Sequence, residues 1–359
     1  MAASFTIESV ADSIPAGGPV SLALDRAGNP RIAFSQQGSG QIVVATRNGG
    51  AWTTENVPGA FAPASGGLRL AIDSAGNPQI AYLDLSSGGL AHAAKRAGKW
   101  SSAQIPTRLT LDHRPGGVGG IDFALHPGRL DTESRDVGFF AYVDLATGGI
   151  GFAHTAGVGP TPVTVEADID SDQNTFAGPS VSFDSSENFF VAYVFIVKTG
   201  SPQDTVSVRL KSVVDIEKGT FSNPPAIIDG PSRALNVRTP TSIARTLFTG
   251  CVAYFDLASK TLKASIADPS VGQALLETVA ANLNGFVTPS AAARQNQFRV
   301  AFADADAVKL ASRSDAGVWT IETVEAVSAA SPSLAYDNSG TANIAYSAGG
   351  KVRYARGSA

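Results

Sequence analysis

Residues 20–57 read VSLALDRAGNPRIAFSQQGSGQIVVATRNGGAWTTENV, and residues 68–105 read LRLAIDSAGNPQIAYLDLSSGGLAHAAKRAGKWSSAQI. The two segments align without a gap, so the chain repeats. Each holds four short β-like runs separated by turn residues. The first run alternates and ends in Asp25 or Asp73, and a turn carrying Gly28-Asn29-Pro30 or Gly76-Asn77-Pro78 follows. An Asp side chain accepts bonds from backbone N–H groups in such a turn, and Gly permits positive φ. The second run is Ile32-Ala33-Phe34 or Ile80-Ala81-Tyr82. The third ends near a Gly-rich turn, and Trp52 or Trp100 opens the fourth. That pattern is a four-stranded antiparallel meander.

Five more degenerate copies follow. Residues 121–165 keep Phe140-Ala141-Tyr142, and residues 180–228 keep Val181-Ser182-Phe183-Asp184 and Val191-Ala192-Tyr193 with a longer hairpin. Residues 241–279 keep Val252-Ala253-Tyr254-Phe255-Asp256, and residues 289–324 keep Val300-Ala301-Phe302. Residues 332–356 keep Ile344-Ala345-Tyr346 and stop after a third strand. The missing fourth strand lies at the other end of the chain, where Phe5-Thr6-Ile7-Glu8-Ser9-Val10 matches Trp319-Thr320-Ile321-Glu322-Thr323-Val324. An open array has no reason to split a repeat. A ring does, because pairing the N-terminal strand in the last blade removes an exposed edge. Repeats of about 40–50 residues with four strands each are propeller repeats. The expected fold is all-β: one seven-bladed β-propeller domain over residues 1–359.

The first strands also show how blades nest. Small residues recur at one position (Ala23, Ala71, Ala124, Ser182, Ala244, Ala292, Ala335), and larger apolar ones precede them (Leu22, Leu70, Phe123, Val181, Ile243, Leu334). Ala291 breaks the bulky series, which predicts looser packing in blade six.

Composition excludes several classes. The 359 residues carry 27 Lys and Arg against 31 Asp and Glu, a formal charge of −4, with 43% apolar and 16% charged residues. No Lys/Arg run tracks a phosphate backbone, so no nucleic-acid partner is expected. No stretch is long and apolar enough to span a bilayer, so no membrane partner is expected. Met1-Ala2-Ala3-Ser4 does not read as a secretory leader, so an extracellular location requires a leader removed earlier, and otherwise the chain is cytoplasmic. The single cysteine, Cys251, forbids an internal disulfide and sits in an apolar run, where a buried thiol is inert.

The repeat resembles those of bacterial sialidase-like and lectin-like β-propellers, through the LAxDxxGNPxIA core and the later Gly-rich turn and Trp. The resemblance covers nearly the whole chain at the level of fold. It implies a class holding sugar-binding lectins, glycosidases, polysaccharide lyases and scaffolds without a known ligand, and fold alone does not choose among them. Sialidase Asp-boxes lie between third and fourth strands, whereas the Asp turn here lies between first and second. The sialidase Arg triad and Tyr/Glu pair find no counterpart, so no catalytic residue carries over.

Five features are weighed as candidate sites. Asp84, Asp144, Asp256 and Asp304 end second strands. They read as a partial ring of carboxylates for cations or sugar hydroxyls, or as caps of their own turns. Ser holds the second position of the first strand in five blades (Ser21, Ser180, Ser242, Ser290, Ser333), while blades two and three have Arg69 and Asp122. A local break in a repeat is where function is grafted, and the plainer reading is a structural ion pair. The ligand-binding set is therefore Arg69, Asp84, Asp122 and Asp144. Asp168, Asp170 and Asp172 open like a calcium loop but lack its Gly and its bidentate Glu, so an acidic surface loop is the simpler reading. Calcium is the only cofactor the sequence hints at. His92, His113, His126 and His154 occupy non-equivalent positions and form no metal ring. Trp52, Trp100 and Trp319 share one position and read as packing residues, with a lectin role as the alternative.

These features favour a non-enzymatic binding propeller whose partner is a glycan or small polar ligand. The alternatives are a carbohydrate hydrolase or lyase with its site at the propeller mouth, and a protein-interaction scaffold.

Overall fold

Each repeat folds as its turn chemistry dictates. In the computed structural model the strands form seven antiparallel sheets of four strands, arranged as a ring: a seven-bladed β-propeller. The structure describes residues 4–15, 18–64, 67–105, 120–128, 135–144, 149–155, 163–166, 174–198, 204–215, 220–222, 224–237, 239–246, 249–268, 273–295 and 297–358. The innermost strands are Val20–Leu24, Leu68–Ile72, Ile121–Leu125, Asn174–Phe183, Ser242–Arg245, Ser290–Arg294 and Ala329–Tyr336. Each packs against the innermost strand of the blade before and after it, the seventh against the first. Blade four adds a two-residue strand, Thr220–Phe221, beside its long third strand, Thr205–Asp215.

The last blade is built from both ends of the chain. Phe5–Asp12 pairs antiparallel with Lys351–Gly357, with Phe5 opposite Gly357 and Glu8 opposite Tyr354. Ser358 N–H donates to Ser4 O at 2.8 Å. This is the closure that the match between residues 5–10 and 319–324 predicts.

In blades one, two, four and seven the turn between first and second strands is held by its aspartate. Asp25 Oδ1 accepts from Ala27 N–H and Asn29 N–H, both at 2.9 Å. Asp73, Asp184 and Asp337 repeat the geometry. The turn needs one left-handed residue, and Gly28 supplies it at φ 83°. Blade four places Glu187 there at φ 66°, a conformation that side chains adopt at a cost.

The core lies between blades. The described residues group into seven apolar clusters, one at each junction; Ala33, Val44 and Val57 of blade one, for example, pack with Leu70, Ile80 and Tyr82 of blade two. The second-strand triplets, from Ile32-Ala33-Phe34 to Ile344-Ala345-Tyr346, are buried in every blade. Each large side chain so buried contributes roughly 1.5–3 kcal/mol. The bulky first-strand residues are buried as a set, and none of the five first-strand residues of blade six is fully buried. Ala291 is thus partly exposed where its bulky counterparts are buried.

Candidate ligand site at the axial mouth

The segments that enter blades five and six lie over the second hairpin of the blade they enter, which fixes one face of the ring. Asn236 N–H donates to Asp256 Oδ1, and Asn284 N–H to Asp304 Oδ1, both at 3.0 Å. Innermost strands start on this face, so the second position of each lies near the mouth of the axis.

The recurrent serines there are straps between blades. Ser21 Oγ accepts from Leu70 N–H of the next blade at 2.9 Å. Ser242, Ser290 and Ser333 serve Ala291, Leu334 and Leu22 in the same way, at 2.8, 2.9 and 2.9 Å. Blade four differs: Ser180 shares a 2.8 Å hydroxyl–hydroxyl bond with Thr241.

Arg69 and Asp122 are brought together. Asp122 Oδ2 accepts from Val181 N–H at 2.8 Å, doing the serine's work between blades three and four. Its Oδ1 takes Arg69 Nε at 2.6 Å, and Arg69 Nη1 donates to Leu68 O at 3.1 Å. The side chains are 33% and 15% exposed. An ion pair that open to water contributes about 0–1 kcal/mol, a small return for two charges in a serine ring.

Asp84 is engaged elsewhere. It is 2% exposed and accepts from Ser86 Oγ, Ser87 Oγ and Gln104 Nε2 at 2.6, 2.8 and 2.8 Å. Burial by itself would raise its carboxyl, but these hydrogen bonds outweigh burial and hold it below the usual carboxylate range. Asp256 and Asp304 are likewise lowered, against burial, by turn, linker and lysine contacts. Asp144 ends its strand opposite Gly149. Asp84 makes no bond to Arg69 or Asp122 among the described residues.

Sequence reading missed a second device, at the outer rim. Glu8 of the closing strand accepts from Arg47 Nε and Nη2 at 2.9 and 2.7 Å and from Trp52 Nε1 at 2.7 Å. Glu277 repeats this with Arg313 and Trp319 between blades five and six. Between blades one and two, Glu55 takes Lys95 instead. Two of the three Trp side chains are thus hydrogen-bonded parts of a clamp between blades. The signal was present, since Glu8, Glu55 and Glu277 share one repeat position, but their partners lie in a neighbouring blade.

The remaining titratable groups are separate. His92 Nε2 lies 3.0 Å from Gln79 Oε1, and burial, with Arg96, lowers its pKa to about 4. His126 Nδ1 accepts from Gly128 N–H at 3.2 Å on the opposite face, and His154 packs on Phe139 and Phe152. Cys251 is fully buried, and burial pushes its thiol up to about 12. Among the described residues no three His, Cys, Asp or Glu side chains gather as a metal site. Asp168, Asp170, Asp172 and His113 lie outside the described residues.

Fold and mouth together define a seven-bladed propeller whose serine strap is replaced by a charged pair beside blades two and three. No family model matches the chain, and no curated protein sequence does. Solved structures do match in fold. Virginiamycin B lyase from Staphylococcus aureus is 12% identical, with a TM-score of 0.59 and 99% of each chain covered. An ulvan lyase bound to -[GlcA(1-4)Rha3S]- is 12% identical, with a TM-score of 0.61 over 96% of this chain and 94% of that one. The Aleuria aurantia lectin, in complex with Fucalpha1-6GlcNAc, is 12% identical, with a TM-score of 0.52 over 96% and 93%. At such identities the likeness is one of fold.

Proposed function

We propose that this chain is a non-enzymatic propeller that binds a glycan at the axial mouth beside blades two and three. One observation carries the reading: the serine strap is broken at that junction by a guanidinium one-third open to water. Arginine presents a planar fork of donors suited to paired oxygens. Asp122 braces it, and Asp84 and Asp144 end the second strands of the same two blades. Propellers of this shape include a fucoside-binding lectin, which supports the reading at the level of fold.

A lyase is the second reading, favoured by the two lyase likenesses. It needs a base free to take a proton. Asp122 holds a donor on each oxygen and Asp84 holds three side-chain donors, so binding ranks ahead. A glycan array run beside a polysaccharide-cleavage panel tests both. Saturable binding without cleavage, lost in Arg69→Met, is the expected result. Turnover of any polysaccharide overturns the non-enzymatic reading, and silence on every glycan overturns the glycan reading.

A further inference from the structure

In five of the seven junctions the backbone N–H of the residue after the strap position finds a side-chain oxygen on the preceding blade, and at the entry to blade five Ser180 bonds Thr241 instead of Ile243 N–H. The donors are Leu22, Leu70, Val181, Ala291 and Leu334. Phe123 is the matching residue of blade three. It stands opposite Phe140 as Leu22 stands opposite Ile32, so its N–H leaves the sheet edge toward the preceding blade. The side chain waiting there is Arg69, which has no acceptor atom. Arg69 starts from the strap position, and Asp122, the residue before Phe123, holds its Nε, so the two sets of donors belong to one junction. Phe123 N–H has no side-chain acceptor among the described residues. Arg69 has given Nε to Asp122 and one Nη1 proton to Leu68 O, and its other N–H groups have no partner among the described residues.

We propose that the ligand group seated at this junction is an oxyanion, the carboxylate or sulfate of an acidic saccharide. The inference rests on the glycan reading and narrows it. A neutral hydroxyl brings a proton that needs an acceptor of its own in a place that offers only donors. A carboxylate or sulfate brings only acceptors, matches the fork of Nη groups, and leaves an oxygen for Phe123 N–H. Asp122 does not fill this role, since its two oxygens already bind Arg69 Nε and Val181 N–H. It sets the guanidinium plane and leaves the outer N–H groups turned to the ligand.

The test uses tetragalacturonate, its methyl-esterified form, a sulfated oligosaccharide and a neutral glucan oligomer, titrated calorimetrically at low and moderate salt. Wild type should bind at least one acidic oligomer. For tetragalacturonate, esterification should weaken binding about tenfold or more, the effect of one charge-assisted contact. The sulfated arm separates the two oxyanions. Arg69→Met alone leaves Asp122 partly unpaired, so the informative variant is Arg69→Ser with Asp122→Ser, which restores the strap serine and should fold as wild type. Loss of acidic binding in that variant, with an unchanged melting curve, supports the site. Equal affinity for esterified and free oligomers overturns the oxyanion while leaving the glycan reading intact, whereas full acidic binding by the double variant overturns both the oxyanion and the placing of the glycan at this junction. Binding of neutral glycans only overturns the oxyanion and leaves the glycan reading. Failure of every glycan overturns both.

Discussion

Gly151 shows how tightly one residue can be specified. A Cβ built there would stand 2.3 Å from the Tyr142 ring, which is buried between blades. Gly151→Ala should cost about 1–3 kcal/mol by overpacking, seen as a lower denaturant midpoint with unchanged slope. A neutral effect would mean that the ring moves aside freely. His92 carries a pH signature. Its folded pKa lies at about 4 against an ordinary 6.5, first through burial and then through Arg96. The unfolded chain therefore binds a proton that the folded one refuses between those values. Stability is complete above pH 6.5 and declines as pH falls toward 4, by ~2 kcal/mol after allowance for the part of the ring that water reaches. In His92→Gln the slope of melting temperature against pH over that window should flatten; an unaltered slope would assign the effect to other groups.

At the scale of elements, strands and turns were legible and the bonds between blades were not. The Asp turn announces itself because acceptor and donors lie within four residues, as in Asp25 and Asn29. The strap does not, because Ser21 meets a backbone N–H 49 positions away that has no sequence signature. The break at Arg69 and Asp122 was visible as an exception, yet its geometry needed blades side by side. The same holds for the Glu8 clamp, whose partners Arg47 and Trp52 sit across a junction. Closure is the testable element. Removing residues 1–12 takes away the outer strand of blade seven, the buried Val10 and the Glu8 clamp. The truncated protein should melt lower by on the order of 10 °C or aggregate through the bared edge. Melting at the wild-type temperature would exclude a role for the strand in holding the ring.

At the scale of the whole molecule, the ring is held by apolar junctions and hydrogen-bonded straps. We expect a chelator to leave the melting temperature unchanged, since a metal bound to the folded state would stabilise it by mass action. A fall on chelation, reversed by calcium, would assign residues 168–172 a cation and correct this expectation. The junctions also bear on how copies of the chain meet. The pairing of Phe5–Asp12 with Lys351–Gly357 links segments nearly a whole chain apart, so it forms late when contacts assemble from local to distant. Until then each chain offers a loose strand and a blade lacking one. Two chains refolding at high concentration can trade these pieces, each strand completing the other's seventh blade with the same hydrogen bonds, giving a domain-swapped dimer in place of two separate rings.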